Sequence, residues 1–381
     1  MPWNEVSAMS LRNEFVYLAT QEGTNFRALC RDFNIAPNTG YKWLGRYLAI
    51  GEAGLVERSR RPLTTPMRTP ENLEQQIVTL REKHPAWGAR KLKRRLEDLG
   101  FILPAVSTVH AVLLRTGLIF PRETQDKLAT GRFEHPYPNS LWQMDFKGHV
   151  ACGEGRCHPL TILDDHSRFS LCLQGCKNEQ RKTVQEQLVS TFERYGVPER
   201  MTMDNGSPWG HEPGVWTALE LWLMRQEIKV SHSRVSHPQT QGKDERFHRT
   251  LKAEVLRGKD FTTLSAMQEA FDIWRKIYNT ERPHEGIGLS VPASRYRASM
   301  KPYTARPKPA EYDENKETRK VDISGRITLK GREYRVGKAF VKERLGIESE
   351  ADDGIYSLWW YKTKIGVIDL KKRSITVGKH C

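Results

Sequence analysis

Apolar residues recur every three to four positions in three short stretches near the start of the chain, the spacing of helices with one buried face. The first holds Leu11, Phe15, Val16 and Leu18. The second holds Phe26, Leu29, Cys30 and Phe33, and a third runs from Pro37 to Ala49. A tight turn at Asn34–Pro37 separates the last two, so the pattern predicts a helix-turn-helix whose second helix carries Asn38, Thr39, Tyr41, Lys42 and Arg46. A similar helical pattern returns from Glu71 to Phe120, with Leu73, Ile77 and Leu80 in one stripe and Leu92, Leu96 and Leu99 in another. The basic residues Lys91, Arg94 and Arg95 stand opposite the second stripe. A helix beginning at Ser107-Thr108 and stopping at Thr116-Gly117 completes this second module.

The period changes at Leu141. Leu141–Val150, Cys157–Leu163 and Phe169–Gln174 read as three successive strands. They are followed by a helix at 184–195, a strand at Glu199–Asp204, a helix at 216–226, a strand at Ile228–His232 and a helix from Lys243. Three strands, then helices and strands in alternation, predict a mixed α/β sheet covered by helices and compatible with an RNase H-like core. A further helix spans Leu264–Tyr278. From Lys320 the chain breaks into short β-prone runs at 321–323, 326–329, 333–336, 355–360, 365–370 and 374–377, which predict a small all-β barrel or sandwich of SH3-like type. The predicted organisation is therefore multidomain. Residues 1–56 form a helix-turn-helix domain, 57–70 a basic arm, 71–120 a second such domain and 121–140 a linker. The α/β core takes 141–299, a second linker 300–319 and the barrel 320–381.

Charge decides what these modules are for. The formal net charge is +15 at pH 7, an excess that points to a polyanionic partner, nucleic acid before membrane. The arm contributes Arg58, Arg60 and Arg61 between prolines, as in a segment lying along DNA. MPWNEVSAMS lacks the apolar centre of a signal peptide, and no apolar run reaches membrane-spanning length, so an intracellular, nucleoid-associated protein is expected. Cys152, Cys157, His158, Cys172 and Cys176 could be recruited to zinc. Without a Cys-x-x-Cys pair they read better as buried, reduced thiols.

Three acids mark candidate chemistry. Asp145 lies mid-strand, opposite in phase to Trp142, Met144 and Phe146. Asp204 ends a strand immediately before Asn205-Gly206. Glu245 opens the helix in HPQTQGKDERFHRTLK, on a face shared with Arg249 and Lys252. Carboxylates alone can hold Mg²⁺, which takes oxygen ligands and binds through one or two acids plus substrate phosphate. Asp164 and Asp165 read as turn-formers, and Asp244 lies about 100° around the helix from Glu245, facing away from Arg249.

The runs WQMDFKG, LDDHSR, MDNGSPWG and HPQTQGKDERFHRTLK resemble the integrase core of DDE recombinases, as found in bacterial insertion-sequence transposases related to retroviral integrases. CRDFNIAPNTGYKWLGRY and HPAWGARKLKRRL resemble that family's DNA-end-binding region, so the resemblance covers about residues 10–300. It implies an Asp-Asp-Glu triad at Asp145, Asp204 and Glu245 that holds two Mg²⁺ or Mn²⁺ ions. It also implies cleavage that frees a 3′-OH at a terminal inverted repeat, then transfer of that end into target DNA by at least a dimer. DNA contacts are expected from Lys42, Arg46, Arg58, Arg60, Arg61, Lys91, Arg94, Arg95, Gln239, Gln241, Lys243, Arg249 and Lys252. Two departures accompany the resemblance. The interval from Asp204 to Glu245 is longer than in the retroviral enzymes, through a longer loop at 207–215, and helix-turn-helix modules replace their zinc-binding domain. An inert DNA-binding regulator and a nuclease without strand transfer are the rival readings.

Overall fold

The computed structural model describes residues 8–57, 68–119, 134–204, 206, 208–209, 215–232, 242–308, 311–313 and 316–378. The chain divides into two compact units, residues 1–68 and 69–381.

The first unit is trihelical: α1 (Ala8–Ala19), α2 (Phe26–Asp32) and α3 (Pro37–Ile50), closed by a 3₁₀ turn at Gly51–Leu55. Asn25 caps α2 by accepting from the Ala28 N–H, and Pro37 opens α3, where its missing N–H costs nothing. Phe15, Val16, Leu29, Cys30, Trp43 and Leu55 form its core. At Gly40 a β-carbon would meet Cys30 Sγ at 2.8 Å and Phe15 Cζ at 2.9 Å, so only glycine lets α3 pack this closely.

The second unit begins with α4 (Glu71–Lys83), α5 (Ala89–Asp98) and α6 (Val106–Arg115), packed around Ile77, Trp87, Leu92, Leu96, Val109, Val112 and Leu113. These helices rest on the α/β core through Ile277, and Arg95 pairs with Glu281 at 3.0 Å.

The core sheet contains β1 (Trp142–Phe146), β2 (Val150–Cys152), β3 (Gly155–Asp164), β4 (Ser170–Cys176), β5 (Arg200–Met203) and β6 (Lys229–His232). β1 runs antiparallel to β3 and parallel to β5, β4 pairs with the far side of β3, and β5 pairs parallel with β6. The strand expected over Leu141–Val150 is broken after Phe146. Gly148 takes φ +84°, and Val150–Cys152 turns back as a separate hairpin arm on β3. One face of the sheet carries Trp142, Met144, Leu160 and Ile162 under α7 (Arg181–Tyr195) and α8 (Ala218–Arg225). The other carries Cys157, Leu163 and Leu173 under α9 (Gly242–Leu251) and α10 (Leu264–Thr280). Burial raises the thiols of Cys157 to about 12 and Cys172 to about 11. Among the described residues no helix is long and apolar enough to cross a membrane.

Residues 317–377 form antiparallel sheets. β7 (Glu317–Lys320), β10 (Arg344–Ser349), β11 (Ile355–Trp360), β12 (Thr363–Asp369) and β13 (Ser374–Val377) make one sheet in the order β13-β12-β11-β10-β7. β8 (Arg326–Leu329) and β9 (Arg332–Arg335) make a separate ribbon. The expected SH3-like closure into a barrel is corrected here: among the described residues no ladder joins β13 to β7. The physical reason is that α8 and its approach, through Trp216, Leu221 and Met224, pack into the apolar face beside Leu345, Leu358, Trp360 and Ile365. The helix covers what barrel closure would otherwise bury. The run at 321–323 is a turn after β7 rather than a strand, and β10 has no counterpart among the expected runs.

Candidate active site and nucleic-acid interface

The parallel register of β1 and β5 ends at Met144 opposite Met203. Asp145 and Asp204 are each the next residue, so both acids leave neighbouring strands at the same level. α9 packs across the sheet there through Phe247 and Leu251, which are buried, while Glu245 stays exposed. The Asp145 carboxyl is pushed up from 3.8 to about 7. Burial is the largest cause, followed by the charge of Asp204; Glu179 and Glu245 add smaller repulsions, and the Phe146 N–H partly opposes them. Asp145 thus feels the charges of Asp204, Glu179 and Glu245, in that order. Among the described residues no group of three or more His, Cys, Asp and Glu side chains is arranged to hold a metal ion by itself.

Several groups that frame this site carry no sequence signal of their own. His248, one turn beyond Glu245, places Nε2 2.9 Å from Thr161 Oγ1, and the Thr161 hydroxyl lies 2.9 Å from the Asp145 carbonyl oxygen. A carbonyl only accepts, so the hydroxyl proton is given to it and Thr161 must receive the Nε2–H of His248. Burial, then Lys147, lowers His248 to about 4, so the ring is neutral at pH 7. Its unprotonated Nδ1 faces Asp145 Oδ2 at 3.9 Å. On the other strand, His232 Nδ1 donates to the Asp204 carbonyl at 3.0 Å and its Nε2 stands 2.7 Å from Glu220 Oε1. Glu220 is fully buried and closes the capping box of α8 with Thr217.

The neighbouring acids are structural. Asp164 accepts from the Asn139 N–H, the Ser167 N–H and the Ser167 hydroxyl. Asp165 accepts from Gln143 Nε2 at 2.9 Å and the His135 N–H at 2.8 Å, and it pairs with Lys243. Lys243, expected on DNA, is thus turned inward. The reason is that Asp165 is buried at the sheet end and needs a cation. Asp244, expected to face away from Arg249, is fully buried; among the described residues neither carboxylate oxygen has a hydrogen-bond partner, and burial raises its carboxyl far above the usual range.

Of the other expected DNA contacts, Arg249 and Lys252 are exposed, with Lys252 opening a π-helical turn at Lys252–Leu256. Arg94 is tied to Asp98 at 2.9 Å, Arg95 to Glu281, and Lys91 is half-buried with no ion pair among the described residues. In the first unit Lys42 and Arg46 lie over the Trp43 ring at 4.5 and 5.1 Å. Asn38, Tyr41 and Lys42 are exposed along α3. Arg58, Arg60, Arg61, Gln239 and Gln241 lie outside the described residues.

Comparison with known proteins gives matches along most of the chain, one of which, over residues 39–113, crosses the boundary between the two units. Residues 14–62 match a helix-turn-helix domain and 39–113 a homeodomain-like domain. Residues 135–238 and 226–292 match two models of the integrase core domain, and 316–376 match the C-terminal domain of IS481 family transposases. The chain is 24% identical over 247 residues to an uncharacterized 39.2 kDa protein of insertion element IS476 from Xanthomonas euvesicatoria, covering 63% of this chain and 69% of that protein. It is 24% identical over 165 residues to an uncharacterized 31.7 kDa protein of insertion element IS407 from Burkholderia multivorans. That match covers 42% of this chain and 58% of that protein, so the chain spans under two thirds of this relative. Among solved structures, the magnesium complex of the HTLV-2 integrase catalytic core aligns at 16% identity and a TM-score of 0.33, covering 42% of this chain and 97% of that one. With helix-turn-helix models matched in front, integrase core domain models in the middle and an IS481 family transposase C-terminal domain behind, the chain is similar along most of its length to insertion-sequence transposases with a retroviral-integrase-like core.

Proposed function

We propose that the protein cleaves the 3′ ends of its element at terminal inverted repeats and joins them to target DNA, using Asp145, Asp204 and Glu245. The observation that carries this reading is the state of Asp145: a mostly buried carboxyl held at about 7 first by burial and then by other acids, with no lysine or arginine paired to it among the described residues. That is an unmet need for positive charge, and a hard divalent cation with oxygen ligands fits it. Asp145 and Asp204, with Glu245, would hold Mg²⁺ or Mn²⁺, two ions in all. When bound, the ions supply activation of a water or 3′-hydroxyl and stabilisation of the leaving oxygen.

The chain's own residues do the rest. Exposed Arg249 and Lys252, with Gln239 and Gln241, position the phosphodiester backbone of the end. Lys42 and Arg46, continued by Arg58, Arg60 and Arg61, read and hold the repeat, with Lys91, Arg94 and Arg95 lining the second module's share. Two ends must be processed together, so a dimer or larger assembly forms on DNA, and the functional divisions of the chain follow residues 1–56, 71–120, 141–299 and 320–381.

The test compares Mg²⁺-dependent nicking of end-containing duplex by the wild type and Glu245→Gln. Nicking by the wild type alone is expected, with end binding retained by the variant. Equal cutting by both, or by neither, overturns the reading. Supplying a precut end should yield joined products, and hydrolysis without joining would reduce the assignment to a nuclease.

A further inference from the structure

We infer that His248, acting through Thr161, is a positioning residue that fixes the rotation of α9 and thereby holds Glu245 toward Asp145. The inference rests on the proposed catalytic role of these acids. α9 lies on the sheet through Phe247 and Leu251, and apolar contacts of that kind are non-directional. Rotation matters acutely at this helix because consecutive residues differ by about 100°. Asp244 and Glu245 are neighbours, one buried without a hydrogen-bond partner among the described residues and one exposed at the site. A one-residue slip would exchange them. The π-helical turn at Lys252–Leu256 directly after α9 shows that helical phase is not uniform along this segment.

Directional contacts between α9 and β1 can set that phase, and the His248–Thr161 bridge supplies them. His248 Nε2–H donates to Thr161 Oγ1 at 2.9 Å, and Thr161 donates to the Asp145 carbonyl at 2.9 Å. Thr161 is itself opposite Asp145 in the β1–β3 ladder and is fully buried, so its hydroxyl is a fixed point. The bridge grips the main chain of Asp145 and leaves the carboxylate for a cation. The second strand uses the same arrangement, since His232, braced by Glu220, holds the Asp204 carbonyl. Outer partners of this kind orient ligands without touching the ion.

The experiment uses the full-length protein with end-containing DNA and four variants: Thr161→Val and His248→Phe, which remove the bridge, and Thr161→Ser and His248→Gln, which keep a hydroxyl or a donor at the Nε2 position. Nicking rate against Mg²⁺ concentration is read alongside Mn²⁺ binding to the protein–DNA complex by electron paramagnetic resonance and DNA affinity in EDTA. Thr161→Val and His248→Phe should weaken metal affinity by about 10–100-fold, the usual scale for outer partners, with DNA affinity in EDTA unchanged. Thr161→Ser and His248→Gln should restore most of the loss. Wild-type metal dependence in Thr161→Val and His248→Phe overturns the inference, and so does an equal loss in His248→Gln and His248→Phe. A wild type that is sensitive to Glu245→Gln but not to Thr161→Val refutes this inference alone. Insensitivity to Glu245→Gln refutes the catalytic reading beneath it.

Discussion

Replacing Asp145 with asparagine should make the metal-free protein more stable, and the gain should grow with pH. The Asp145 carboxyl is raised from 3.8 to about 7, by burial first and by Asp204, Glu179 and Glu245 after it. Between those values the native chain keeps a proton that the unfolded chain has released. Unfolding free energy therefore falls as pH rises through this window and is level on either side of it. At about 1.36 kcal/mol per pH unit the interval amounts to about 4 kcal/mol lost by the wild type above pH 7. The side chain is 22% exposed, so solvent screening trims this figure without removing it. Asparagine has the same outline and no proton to lose.

Wild type and Asp145→Asn should accordingly unfold alike near pH 4 and diverge toward pH 8. For a compact unit of this size 1 kcal/mol moves the melting temperature by about 2 °C, so the variant should gain up to about 8 °C at pH 8. The assay is paired thermal and guanidinium unfolding in EDTA across this pH range, repeated with saturating Mg²⁺ or Mn²⁺. Cation should raise the wild type and leave the variant unmoved, closing or reversing the gap. A variant no more stable than wild type at pH 8, or a gap that ignores pH, would refute the claim that Asp145 bears uncompensated charge.

Two neighbouring residues give further expectations. Lys243→Met removes the only side-chain cation paired with buried Asp165 among the described residues and should cost about 3–5 kcal/mol. Adding Asp165→Asn should recover part of that loss in chemical unfolding, and additive losses would argue against the pairing. Asp244→Ala removes a buried carboxyl with no hydrogen-bond partner among the described residues and should stabilise the chain by about 1–3 kcal/mol while nicking persists. A destabilised variant would overturn the reading that the carboxyl is buried at a cost to the fold.

The strands and helices of the core were legible because each buries one face with a clear period. Trp142 and Met144 alternate inward as expected, but Gln143, in the opposite phase, is only 4% exposed. Alternation identifies one buried face and is silent about a second, which α9 and α10 cover here. Lys243 stands in a polar, glycine-bearing stretch that reads as solvated, and only its meeting with Asp165, far away in sequence, buries it. His232 and His248 follow no pattern, and their roles arise from hydrogen bonds to strands distant in the chain. The C-terminal strands were visible as β-prone runs. That α8 of the core would fill their apolar face was not, because helix and strands each satisfy their own period without declaring a partner.

Burial of a carboxylate separates structural from functional acids only when its partners are counted. Asp164 has three donors, Asp165 has Lys243, Gln143 and a main-chain N–H, and Glu254 has Arg282 and Trp274. Asp165 and Glu254 are met by cations within the protein, whereas burial still raises the Asp164 carboxyl and its three donors only partly oppose that. Asp244 has no hydrogen-bond partner among the described residues and is sealed from solvent, and burial raises its carboxyl well above the usual range. Asp145 falls between these cases. It is buried enough for its charge to be costly, open enough for an ion to reach, and raised further by neighbouring acids, with no lysine or arginine paired to it among the described residues. The imidazole beside it is neutral and bonded to Thr161, so it cannot supply the missing charge. A site built this way gains stability when a divalent cation arrives with a phosphate, which ties the energetics of the resting fold to the reaction proposed for it.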